Sequence, residues 1–259
     1  MGCRCTDDDF IRAAVSLRGY GRSGLKRWWP TLFLLAMAPS AFASDAAPSQ
    51  AIAGGTAAIG AAAIDAQAIV EHGKGEQVPA CAACHGVDGA GKPAAGFPRL
   101  AGLNASYMYK RLGELGSVHS TTVMQPTARA LTEVEREALA DYFSKLPLPA
   151  ALATPTQPMP PADSIGAVLA RRGRWSQQLP ACDQCHGPAG VGVGANFPPL
   201  AGQSASYIVA QLKAWKQGKR HSDPLQLMQH VSQLLDDDEM VAVASWYAAQ
   251  PLDSKGATP

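Results

Sequence analysis

This sequence has little cysteine, no long apolar run and no excess of one charge. Only six of its 259 residues are cysteine, and four of these fall in two short runs. The other two, Cys3 and Cys5, sit in an N-terminal segment expected to be removed. No thiol is then left over for a nucleophile, a third ligand set or a structural disulfide. The most apolar stretch, Trp28 to Ala38, has Pro30 and Pro39 near its ends. It is about half the roughly 20 residues needed to span a bilayer. Convincing strand alternation is missing as well, which points to an all-α chain. The formal charge is +1, from 22 Lys+Arg and 21 Asp+Glu.

Residues 1–43 read as a secretory signal. Arg22, Lys26 and Arg27 precede the apolar stretch, and Ala41-Phe42-Ala43 fits an Ala-x-Ala cleavage site that makes Ser44 the first mature residue. Cleavage removes six basic and three acidic residues, leaving 16 against 18 and a formal charge of −2. Nothing in that balance points to nucleic acid or to an anionic membrane surface. No transmembrane anchor is expected after cleavage, and periplasmic export follows.

What is present is a repeated pentapeptide. Cys81-Ala-Ala-Cys84-His85 recurs 101 residues later as Cys182-Asp-Gln-Cys185-His186. Cys-x-x-Cys-His is the pattern of c-type haem attachment. Its two thiols form thioethers to the haem vinyl groups, and its His binds iron from the proximal face. Zinc ribbons place their Cys pairs much closer together. A thioredoxin-like dithiol needs a strand-helix-strand setting that is not evident here. Two covalently attached haems c are therefore expected.

The repeat extends well beyond these runs. Phe97-Pro98-Arg99-Leu100-Ala101-Gly102 matches Phe197-Pro198-Pro199-Leu200-Ala201-Gly202, and Ala105-Ser106-Tyr107 matches Ala205-Ser206-Tyr207. Tyr142-Phe143 matches Trp246-Tyr247. The expected organisation is a flexible leader at 44–63, a first domain at 64–147, a Pro-rich linker at 148–163, a second domain at 164–251 and a tail at 252–259. Each half reads as three main helices. The first covers about Asp65 to His72 or Ser164 to Arg172. The second starts at the N-caps Asn104 and Ser204, with Ile208, Leu212 and Trp215 forming an apolar stripe. The third opens with a capping box, Thr132-x-x-Glu135 or Asp236-x-x-Glu239. The acidic run Asp236 to Asp238 reads as first-turn charge facing the helix dipole rather than as a cation site. Val191-Gly192-Val193-Gly194 lacks both the preceding strand and the full spacing of a nucleotide loop.

The sixth iron ligand decides the chemistry. An open site binds small molecules, whereas a thioether closes the iron and raises its potential. Met124 and Met228 each stand seven residues before a Leu and a capped helix. A lone Met is usually a core filler, but the same position in both halves marks these two as candidate ligands. His119, His221, His72, His230, Met108 and Met159 are the competitors.

Both halves resemble class I cytochrome c domains, and the tandem resembles the di-haem cytochrome c4 family. The resemblance spans about residues 64 to 251. It is carried by Cys-x-x-Cys-His-Gly, then Phe-Pro-x-Leu-Ala-Gly, then a Tyr and an apolar helix, then Met before the last helix. It implies two tandem class I domains, each wrapped around a haem, with His85/Met124 and His186/Met228 as iron ligands. It also implies that the Pro98 and Pro198 carbonyls accept hydrogen bonds from the proximal His rings, and that Leu100 and Leu200 pack on the haems. The first half departs from the family at Leu103 and Arg111, where the second has Gln203 and Gln211.

The function implied is a periplasmic shuttle moving single electrons between respiratory proteins. A quinol-cytochrome c reductase-type donor and a terminal oxidase acceptor are the implied partners. Two alternatives stay open. One is a di-haem oxidoreductase of peroxidase or thiosulfate dehydrogenase type, although no fifth Cys and no open distal side are visible. The other is a fixed cytochrome subunit of a dehydrogenase. No enzymatic turnover is expected.

Overall fold

The computed structural model describes residues 64–149, 158–220 and 222–252. The expected signal and leader (1–63, with Cys3 and Cys5), the middle of the linker (150–157), His221 and tail residues 253–259 lie outside the described residues. Among the described residues there are ten α-helices and no strand beyond isolated bridges in loops. The first half holds α1 (Ala66–His72), α2 (Cys81–His85), α3 (Ala105–Leu115), α4 (Gln125–Ala130) and α5 (Glu133–Lys145). The second holds α6 (Ile165–Arg171), α7 (Asp183–His186), α8 (Ala205–Lys216), α9 (Leu227–Gln233) and α10 (Asp237–Ala248). No helix among the described residues is long and apolar enough to cross a membrane.

The helices begin where side chains satisfy their first orphan amides. Asn104 Oδ1 accepts from Tyr107 N at 3.0 Å, and Ser204 Oγ accepts from Tyr207 N at 3.3 Å. Both capping boxes close: Thr132 with Glu135 on α5, and Asp236 with Glu239 on α10. Such a cap contributes about 1 kcal/mol. Asp237, Asp238 and Glu239 lie in the first turn of α10, as the dipole argument requires.

The three main helices of each half stand where the sequence puts them, and two short ones accompany them. The attachment motifs form short helices of their own, and α4 and α9 start at the two Met positions. These elements are four to seven residues long. That is too short for a 3.6-residue period to show in sequence.

Each half buries its own apolar core. In the first, Ile69 and Val70 of α1 meet Leu139, Ala140 and Phe143 of α5, with Met108 of α3. In the second, Ala167, Leu169 and Ala170 of α6 meet Met240, Val243 and Ala244 of α10. Ile208, Leu212 and Trp215 of α8 complete that core, as their stripe suggests. The α6–α10 crossing is the closer of the two because Gly166 sits in it. A Cβ there would lie 2.2 Å from Ala242 O. The matching position in the first half is Ala66, half-buried against its core.

Candidate functional site

One helical turn gathers each attachment motif. Residues at i, i+3 and i+4 share a helix face, so Cys81, Cys84 and His85 converge on one side of α2. Cys182, Cys185 and His186 do the same at α7. All four thiols are free. Burial pushes the Cys81 thiol up and the Cys182 thiol up to about 11. A redox dithiol or a zinc thiolate needs the opposite shift. Among the described residues no group of three or more His, Cys, Asp or Glu side chains is arranged to hold a metal ion.

The two histidines are held alike. His85 Nδ1 donates to Pro98 O at 2.9 Å, and His186 Nδ1 donates to Pro198 O at 2.8 Å. That bond leaves the lone pair on Nε2, the atom that would bind iron. Both rings are buried, and desolvation lowers their pKa against the raising effect of the Pro carbonyl. They are thus neutral and available as donors. Phe97 and Phe197 set their edges against these rings, with centroids 5.9 and 6.1 Å away.

A turn folds each Pro back onto its motif. Gly91 N donates to His85 O at 2.8 Å, and Gly192 N donates to His186 O at 2.7 Å. Both glycines have positive φ, 82° and 90°. A Cβ on either would fall within 2.6 Å of Pro98 C or 2.8 Å of Pro199 N. The Val191–Gly194 run is therefore part of a haem-loop turn. Leu100 and Leu200 follow, each half-buried at the edge of its core.

Met124 is the N-cap of α4, and Met228 lies in the first turn of α9. Both are half-buried. The Met228 amide donates to Asp223 Oδ2 at 2.6 Å. Among the competitors, Met108 is core, Met159 takes a contact from Gln250, and His72 and His230 are exposed.

The halves meet through buried polar groups, one pair of which are counterparts. Arg99 N donates to Gln203 Oε1 at 3.0 Å, and Gln203 Nε2 donates back to Arg99 O at 3.1 Å. The Arg99 guanidinium bridges two equivalent carbonyls, Ala101 O at 2.5 Å and Ala201 O at 3.3 Å. Arg111 Nη2 donates to its counterpart Gln211 Oε1 at 2.9 Å. Arg220 donates twice to Glu114, at 2.9 and 3.2 Å, and lies 4.3 Å over the Trp215 ring. Residues meeting their own counterparts indicate an approximate two-fold relation. Arg111 makes sense in that setting, while Leu103 lies in the core of the first half. At a two-fold, complementary partners bond where identical ones would compete.

The residues present fit a haem. Arg99 is only 1% exposed, its Nε has no partner, and burial lowers its pKa to about 10. Among the described residues no carboxylate pairs with it. With Arg111 and Arg220 against Glu114, the junction carries excess positive charge next to the Pro98 loop, a setting suited to haem carboxylates.

The sequence profile of cytochrome c matches residues 70–147 and 176–248. The chain belongs to the cytochrome c family. Its tandem halves are those of the di-haem cytochromes c4, and two covalent haems c are its cofactors. The thiosulfate dehydrogenase electron acceptor of Stutzerimonas stutzeri (strain A1501) is 50% identical over 170 residues, covering 65% of this cytochrome and 78% of that protein. Reduced cytochrome c4 from Pseudomonas stutzeri matches with a TM-score of 0.59 at 32% identity, covering 66% and 93% of the two chains. A thiosulfate dehydrogenase (TsdBA) from Marichromatium purpuratum matches with a TM-score of 0.65 at 41% identity. It is matched over 72% of this cytochrome but only 40% of its own, longer chain. The cytochrome is thus a di-haem electron carrier.

Sequence reasoning singled out both His/Pro pairs but missed Phe97, Phe197 and the whole junction. One signal was available. Arg99 interrupts an otherwise apolar motif, where an unpaired buried cation needs an anion.

Proposed function

We propose that this cytochrome accepts electrons from a thiosulfate-oxidising dehydrogenase and passes them singly to a further respiratory redox protein. It works in the periplasm as a carrier and not as an enzyme, with a terminal oxidase as the class of acceptor. Its axial pairs are His85/Met124 and His186/Met228. The observation that carries the reading is the pair of equivalent His–Pro units on one body. Each presents a neutral Nε2 beside two free thiols. The identity of the donor is supported by the 50% likeness to a thiosulfate dehydrogenase electron acceptor. Met at the sixth position is supported by its recurrence at the start of α4 and α9.

The test mixes the oxidised protein anaerobically with thiosulfate and a catalytic amount of a thiosulfate dehydrogenase. Both haems should become reduced, one electron each, and neither should be reduced without the enzyme. Reduction by thiosulfate alone would make the protein an oxidoreductase itself. No reduction in the complete mixture would remove the proposed donor. Carbon monoxide binding to the reduced protein would expose an open iron and overturn the Met assignment at that site.

A further inference from the structure

The chain on either side of Met228 is not held by burial. Leu225 is 76% exposed and Leu227 is 49% exposed, although both are large and apolar. Polar bonds fix this loop instead. Asp223 Oδ2 accepts from Met228 N at 2.6 Å and from Gln229 N at 3.2 Å, and the Asp223 carbonyl accepts from Gln226 N at 2.9 Å. Met228 and Gln229 are the second and third residues of α9, and the first amides of a helix have no partner within it. Gln226, the N-cap by position, makes no side-chain cap bond. Asp223, three residues earlier, supplies the missing acceptor. Gln226 has a φ of 55°, a left-handed conformation that persists in a non-glycine residue only where the surroundings impose it. The start of the loop is anchored separately, by Arg220 on Glu114 of the first half. In the first half Met124 is itself the N-cap of α4, again with no side-chain cap bond. That loop is closed by uncharged groups: Gln125 Nε2 donates to Ser117 O at 3.0 Å, and Gln125 N donates to Thr122 O at 3.0 Å.

We propose that Asp223 is the positioning residue for Met228: its carboxylate grips the Met228 amide and so keeps the thioether in place as the sixth ligand of the second half. The proposal rests on the axial reading given above. Asp223 acts through the backbone of Met228 alone. A thioether is a neutral, weak donor, so its hold on an iron depends on how little freedom it loses when it binds. A backbone fixed beforehand has little left to lose. Without the Asp223 carboxylate, two amides lose their acceptor in an exposed loop, and the bonds that impose the left-handed Gln226 weaken. Met228 then yields more readily to an added ligand. Met124, which has no such carboxylate on α4, is the reference within the same molecule.

The test is an imidazole titration of the oxidised holoprotein, with the two haems resolved by their methyl resonances in NMR. Asp223→Ala should lower the apparent Kd for imidazole at the second haem by roughly tenfold to hundredfold, the range for losing a hydrogen bond to a charged group. The first haem should keep its wild-type value. Asp223→Asn retains an acceptor oxygen without the charge, and should stay within about threefold of the wild type. A merely structural role would produce neither the selectivity for one haem nor the rescue by Asn. Deuterium exchange of the wild type keeps the proposal testable if Asp223→Ala loads haem poorly. The Met228 and Gln229 amides should exchange more slowly than the amide of exposed Leu225. Equal exchange would overturn the proposal. So would an unchanged Kd in Asp223→Ala, an equal shift at both haems, or Asn binding imidazole as tightly as Ala. The axial reading is checked apart from Asp223. The reduced wild type should show two strongly shielded Met methyl signals, one of which Met228→Ala removes. A Met228→Ala protein that keeps both would overturn that reading and the role of Asp223 with it.

Discussion

Glu114→Gln should loosen the junction between the halves more than any other single isosteric change there. The Glu114 carboxylate accepts from Arg220 Nε at 2.9 Å and Nη2 at 3.2 Å, and pairs with Arg111 Nη1 at 2.6 Å. The three side chains are 16%, 11% and 12% exposed, for Glu114, Arg220 and Arg111. At an effective dielectric of about 20, each charge pair roughly 4 Å apart attracts by about 4 kcal/mol, before the desolvation that offsets much of it. The amide would leave two buried guanidinium groups facing each other with no counter-charge. Breaking a buried pair from one side costs about 3–5 kcal/mol. We expect about 3 kcal/mol from urea unfolding of the holoprotein. Removing both partners of the Arg220 pair should cost less than the two single changes added together. The pH dependence has a defined sign. Burial alone would raise the Glu114 carboxyl, but Arg220 and Arg111 more than offset this and hold it below the usual carboxylate range. A lowered folded pKa contributes stability that is full above the unfolded value, near 4.3 for glutamate. That stability is lost as pH falls through the folded value. Acid destabilisation should therefore be shallower in the variant. A loss under about 0.5 kcal/mol, the scale of an ordinary surface change, together with an unchanged acid limb, would refute a stabilising role for this ion pair.

Met124→His should lower the first haem's potential and remove its share of the far-red sulfur-to-iron band, leaving the second haem's band in place; axial ligands shift haem potentials over about 0.8 V across proteins. An unchanged spectrum and titration would make Met124 a packing residue, and Met228→His is the matching test for the second half. Gly166→Ala should cost about 2 kcal/mol in thermal or urea unfolding, because overpacking at Ala242 O outweighs the gain in helix propensity. Gln67→Ala, on the exposed side of α1, should stay within about 0.5 kcal/mol, and equal effects at the two positions would contradict the close α6–α10 crossing.

Features decided within a few residues of chain were legible. Asn104, Ser204 and the two capping boxes cap the helices assigned to them, since a cap is a contact over three residues. The His85–Pro98 and His186–Pro198 bonds follow from a loop of 13 or 12 residues whose motif recurs, and the family resemblance supplied the pairing. The helices α4 and α9 were not legible, because six or seven residues beside a Met show no period. The junction was harder still. Arg99 with Gln203, and Glu114 with Arg220, are 104 and 106 residues apart, and nothing local says that they meet.

The sequence by itself determined that this is an all-α tandem with two haem attachment sites, because covalent attachment needs its thiols and its His on one helical turn. Only the tertiary structure decided how the halves differ. It tied the Asp183 carboxylate to Tyr247 OH and the Lys92 ammonium to Ala83 O, and it buried Arg99 between two equivalent carbonyls. The physical reason is distance. Attachment chemistry is local along the chain, whereas the charge that tunes a site is set by whatever folding brings beside it.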